Sequence, residues 1–206
     1  MFNFISLRNR LWRNESFQPS LPPTDLAVTV TIWHTGSGIT ENDTSVGHAA
    51  IELPETKFHK KQYFSLRPKY KGTVNPFTTL LGVPVQAHVA SPKEDVELEG
   101  KSPDRAIEVR LSEQQINAMH EEATKYSEQI ACGSMLYSLM PRYSALWLSL
   151  FKSKSTVSHC SDSVTKILAS GGISSNVSKI CPWVITPTQV AQNLETCTNR
   201  SNLNRL

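Results

Sequence analysis

The chain has 206 residues, 39% of them hydrophobic and 19% charged, a balance that fits one sizeable globular domain and excludes wholesale disorder. Its formal net charge of +3 comes from Lys and Arg scattered along the chain, which argues against a dedicated nucleic-acid surface. The sequence has no apolar run of the roughly 18 residues that a transmembrane helix needs, so no stable membrane insertion is expected.

Residues 1–13 carry Phe4, Ile5, Leu7, Leu11 and Trp12 among Arg8, Arg10 and Arg13, a pattern for a small amphipathic helix packed on the body. It lacks a secretory cleavage site, so a cytoplasmic life, or export without a cleavable signal peptide, is expected. Residues 14–25 hold three prolines and read as a linker, so that residues 1–25 form an N-terminal segment ahead of the main domain. Alternation of β-branched residues predicts a strand over 26–34. A turn-rich loop follows at 35–46, then strands over 47–53 and 62–67, closed by Pro54 and Pro68, to make an antiparallel meander. Five prolines make 68–103 read as an excursion over the surface. A further strand is expected over 104–111, and Ser112 with Gln115 forms a capping box that opens a helix over 113–130. Residues 135–151, rich in aromatics and Leu and broken by Pro141, read as buried. Helices are expected over 159–170, stopped by Gly171-Gly172, and from Pro187, with Thr186 as cap and Val190, Ala191 and Leu194 as its apolar stripe. The domain spans 26–198, and 199–206 reads as a polar tail.

Of the four cysteines, none pairs at CxxC or zinc-site spacing. Cys160 alone falls in the first turn of a predicted helix, where unpaired amides and the helix dipole favour a thiolate and can bind an oxyanion. Cys132 follows a helix end, while Cys181 and Cys197 fall in or near loops. A nucleophilic thiol also needs a rigidly held base. His48 lies within a strand, where alternation puts His48, Ala50 and Glu52 on one face and Ala49, Ile51 and Leu53 on the other. The small Ala50 beside the histidine would let a helix approach closely.

A histidine on an early strand (VGHAAIEL), the next strand (YFSLRP), a helix opening on cysteine (HCSDSVTKILASGG) and a late helix (TPTQVAQNL) together resemble the circularly permuted papain-like cysteine enzymes. These include permuted NlpC-type peptidases and amidases, lecithin:retinol-acyltransferase-like enzymes and cysteine toxins delivered by bacterial secretion systems. The resemblance covers roughly 26–195, with the histidine 112 residues ahead of the cysteine, the reverse of the ordinary papain order. It implies an α+β fold in which an antiparallel sheet packs on the helix that carries the nucleophile. It implies Cys160 as nucleophile, His48 as general base, and an acyl-enzyme hydrolysed by water or passed to an amine, with no metal or organic cofactor. The expected substrate is a peptide, peptidoglycan or protein amide, and a secretion machine or an immunity protein is the expected partner class. The chain departs from the family at His159, where Asn often precedes the nucleophile. By position the orienting third residue is Ser65; by chemistry Glu52, Asp43 and Asp162 stay open. Lipid or protein acyl transfer, and a non-catalytic binding module with a sealed cleft, are the alternatives.

Overall fold

The computed structural model describes residues 25–34, 47–70, 82–150, 152–173 and 185–203. Strand β1 (Leu26–Trp33) is the centre of the first sheet because its apolar residues alternate: Val28, Val30 and Ile32 are fully buried. It pairs antiparallel with β2 (His48–Leu53) on one side and with β6 (Arg105–Leu111) on the other. Strand β3 (Gln62–Phe64) adds to β2, which gives the order β3-β2-β1-β6 and includes the expected antiparallel meander.

The stretch expected as one strand over 62–67 divides in two. Strand β3 ends at Phe64, Ser65 stands between, and β4 (Leu66–Pro68) joins a second sheet. Pro68 is thus the last residue of a strand, not a stop before it, and pairs with Ala87. The second sheet runs β4-β5-β7-β8, with β5 (Val85–Val89), β7 (Met135–Tyr137) and β8 (Thr156–Ser158). Its β7–β8 pair is parallel and its other pairs antiparallel.

The expected surface excursion over 68–103 is corrected in the same way. Its described residues supply β5 and helix α1 (Pro92–Glu99). Pro92 opens the helix instead of preventing it, with Ser91 and Glu94 closing a reciprocal capping box and Gly100 ending it in the left-handed region at φ 66°.

Helix α2 (Glu113–Ala131) follows β6, with Ile116, Met119, Ala123 and Tyr126 on its buried face. Gln115 Oε1 accepts from the Ser112 N–H and hydroxyl, and Gln115 Nε2 donates to the Gly171 carbonyl 2.8 Å away. Helix α3 (Pro141–Leu150) starts at the proline, and its Leu146 and Leu150 are exposed, so the reading of 135–151 as wholly buried does not hold. Helix α4 (Cys160–Ser170) places Val164, Ile167 and Leu168 in one core with Val30, Ile51, Ile116 and Met119. Burying such side chains contributes about 1.5–3 kcal/mol each, which holds the helix on the first sheet. The small β2 residue in that core is Ala49, not Ala50. Helix α5 (Pro187–Leu203) begins with the expected Thr186–Gln189 box and buries Val190, Ala191 and Leu194. Cys197 lies within this helix and not in a loop, and the stretch expected as a tail is helical as far as Leu203.

The described residues therefore form an α+β protein of two mostly antiparallel sheets and five helices. None of these helices is long and apolar enough to cross a membrane. The expected N-terminal helix, the linker before residue 25, Asp43 and Cys181 lie outside the described residues.

Candidate active site

Cys160 is the first residue of α4, and His159 is its N-cap in extended backbone at φ −134°. The His159 side chain does the work that Ser or Asn usually does: its Nδ1 accepts from the Asp162 N–H at 3.4 Å. Helix winding starts at once, with the Ser163 N–H donating to the His159 carbonyl. The Cys160 sulfur thus sits against the positive end of a helix dipole.

His48 opens β2 opposite Trp33 of β1, and the two rings lie 5.5 Å apart. Its Nε2 is 2.8 Å from Ser65 Oγ and 3.4 Å from Asp95 Oδ2. With Nε2 turned to these groups, Nδ1 is the ring nitrogen left over, and the Cys160 thiol is close enough to shift the histidine's pKa. Ser65 stands at the break between β3 and β4, where its carbonyl accepts from the Ala90 N–H and its hydroxyl meets the histidine.

The structure brings in a residue the sequence reading missed. Asp95, fully buried on α1, accepts from Tyr63 Oη and from Arg67 Nε, both at 2.7 Å, as well as facing His48. Arg67 Nη1 also donates to Glu99 Oε1 at 2.6 Å. Helix α1 is thus fastened to β4 by two carboxylates on one guanidinium. Tyr137 of β7, in the stretch read only as buried, is buried, and Cys160 is close enough to raise its pKa.

The other carboxylates considered for the third position go elsewhere. Glu52 pairs with Lys61 at 2.7 Å in an exposed setting. Asp162 accepts from Ser158 Oγ at 2.8 Å and pairs with Lys166 at 2.9 Å. Ser65, favoured by position, does reach His48.

The charges of the site are coupled. Burial alone would push the Cys160 thiol up, but the His48 charge and hydrogen bonds from His159 and His48 bring it well below the ordinary thiol value. Burial alone would lower His48, yet the Cys160 thiolate and the Asp95 hydrogen bond outweigh that cost and the opposing Arg67 charge, and its pKa rises. Asp95 is held well below the usual carboxylate range: burial opposes this, and His48, Arg67 and Tyr63 prevail. Burial raises Tyr137 well above its ordinary value, and the neighbouring Cys160 adds to that, so it stays a neutral donor. Both shifts run toward a thiolate beside an imidazolium. Cys160 and His48 are 3% and 1% exposed, so the pair is covered by the surrounding fold.

Among the described residues no group of three or more His, Cys, Asp or Glu side chains could hold a metal ion. No family model, curated protein or solved structure matches this chain.

Proposed function

We propose that the chain is a cysteine-dependent amide hydrolase of permuted papain-like architecture. The observation that carries this reading is the line Asp95–His48–Cys160, which pairs a carboxylate-braced imidazole with a thiol at a helix start. Three groups from separate elements converge there in the roles that nucleophilic catalysis needs.

The Cys160 thiolate attacks the amide carbonyl carbon, an S–C bond forms, and the carbonyl π pair moves to oxygen. Unpaired amides at the start of α4 face the developing charge. The intermediate collapses as the C–N bond breaks, and the His48 imidazolium gives its proton to the leaving amine. A water then attacks the thioester with His48 as base, which releases the acid and the thiol. Asp95 holds the imidazole in place and balances its charge, with Ser65 as a further hydrogen-bond partner on the same nitrogen. Delivery as a bacterial effector or toxin, with a peptide, peptidoglycan or protein as substrate and a secretion machine or immunity protein as partner, rests on the resemblance of the sequence motifs alone.

The burial of Cys160 favours a second reading, a binding module that keeps the fold without turnover. Labelling of the native chain with a thiol-reactive acyl probe, read by mass spectrometry, decides between them. Labelling at Cys160 that is lost in Cys160→Ala and kept in Cys132→Ala supports the hydrolase. Labelling confined to the exposed Cys132 supports the binding module.

A further inference from the structure

Two histidines flank Cys160, and their hydrogen bonds assign them opposite chemistry. His48 presents Nε2 to Ser65 Oγ and to the Asp95 carboxylate, which can only accept, so its Nε2 carries a proton and its Nδ1 is the side left to exchange one with sulfur. His159 is arranged the other way. Its Nδ1 accepts from the Asp162 backbone N–H, a donor that cannot reverse its role. A ring nitrogen that accepts bears no proton, so the neutral His159 ring carries its proton on Nε2. The ring is almost fully buried at 3% exposure, and its bond to the Asp162 amide holds it over the same helix start that carries Cys160.

We propose that His159 is a fixed hydrogen-bond donor of the catalytic centre, an electrophilic histidine locked in one tautomer by the helix it caps. It holds negative charge, first on the thiolate and then on the carbonyl oxygen, while His48 alone moves protons. In the attack step the S–C bond forms and the carbonyl π pair shifts to oxygen. His159 Nε2–H bonds to that oxygen without transferring its proton, and the bond loosens as the pair returns and C–N breaks. The helix cap and the charge-binding donor are then one side chain, and a cap residue without a second polar end, such as Ser, would supply only the first. This rests on the hydrolase reading.

The test uses the full chain, ¹⁵N-labelled for one arm. Long-range ¹H–¹⁵N spectra are expected to show His159 with its proton on Nε2. Acylation of Cys160 by p-nitrophenyl acetate passes through an oxyanion, whereas alkylation by iodoacetamide does not. His159→Ala is expected to slow acylation about 100-fold or more, the usual effect of removing one such donor. Alkylation, measured at a pH where the thiolate is fully formed, is expected to fall less than about tenfold, and His159→Gln is expected to restore acylation at least about tenfold over His159→Ala. A proton on Nδ1, or equal losses in acylation and alkylation, would overturn the proposal. So would acylation in His159→Gln as fast as in the unaltered chain together with no loss in His159→Ala. Failure of the unaltered chain to acylate at Cys160 would instead overturn the hydrolase reading beneath it, and the separate alkylation and tautomer measurements tell the two failures apart. Should His159→Ala not fold, the tautomer spectrum of the unaltered chain still decides.

Discussion

Arg67 Nε lies 2.7 Å from Asp95 Oδ1, and both side chains are withdrawn from solvent. Each loses a buried charge partner without the other, although Arg67 keeps Glu99 and Asp95 keeps Tyr63 and His48. Removing one partner of such a buried pair is expected to cost up to about 3–5 kcal/mol, less where those further partners compensate. Asp95→Ala is therefore expected to shift the urea unfolding midpoint strongly downward, and Asp95→Asn, which keeps the shape and part of the hydrogen bonding, less so. Equal stability of Asp95→Ala and the unaltered chain would contradict the burial of this pair.

Ser65 and Asp95 both face His48 Nε2, at 2.8 and 3.4 Å, but only one carries charge. Ser65→Ala removes a neutral hydrogen bond and is expected to cost about 1 kcal/mol of stability. Its effect on the iodoacetamide reactivity of Cys160 at neutral pH is expected to be smaller than that of Asp95→Asn. A larger effect from Ser65→Ala would make the serine, and not the carboxylate, the principal orienter.

The acidic limb of stability is expected to report Asp95. Its folded pKa lies below its unfolded value. Unfolding then takes up a proton as the pH falls past about 4, so the stabilisation is complete above that region and is lost on acidification. The Cys160–His48 pair behaves differently. Its thiol is shifted down and its imidazole up. Between the unfolded values of about 6.5 and 8.5, the folded thiolate–imidazolium and the unfolded thiol–imidazole bind the same number of protons. That pair contributes no slope in this window. Denaturant titrations across pH should therefore show a fall on the acid side that flattens in Asp95→Asn, and little change near neutrality between the unaltered chain and Cys160→Ala. For reactivity, His48→Ala removes the largest influence favouring the thiolate, so alkylation of Cys160 at neutral pH is expected to drop and to recover at higher pH.

Gly171 marks the point where the Cys160 helix ends against α2. A Cβ there would overlap Met119 Cε, lie 2.9 Å from Met119 Cγ and 3.2 Å from the Gln115 carbonyl oxygen. Gly171→Ala is expected to destabilise by about 1–3 kcal/mol through overpacking. Met119→Ala alone should also cost about 2–5 kcal/mol by leaving a cavity, and the two together should cost less than their sum. Strict additivity in a double-mutant cycle would show that the two side chains do not compete for space.

Local signals carried well from the sequence. The alternation of Val28, Val30 and Ile32 and the capping pairs Ser112–Gln115 and Thr186–Gln189 depend on neighbours in the chain, and the elements formed where expected. Helix α1 was equally legible, since Ser91-Pro92 followed by Glu94 is a helix start; the density of prolines hid it. Asp95 was not legible. Its burial depends on Tyr63 and Arg67, 32 and 28 positions away, and an acidic residue in a proline-rich stretch reads as solvated until those partners are in place. Tyr137 shares that difficulty: an aromatic after Met135 and Leu136 reads as core, and only the pairing of β7 with β8 brings it to the strand that leads into Cys160. The break at Ser65 was masked because QYFSLR satisfies one strand pattern as well as two.

Strands β3 and β4 belong to different sheets, and the serine between them bonds to the histidine on β2. The acid that braces the histidine sits on a helix fastened to the second sheet, and the thiol on a helix packed against the first. An unfolded chain therefore keeps His159 beside Cys160 but brings neither His48 nor the acid that braces it to the thiol. The electrostatic setting of Cys160 thus draws on groups from both sheets, and loss of either one would remove part of it.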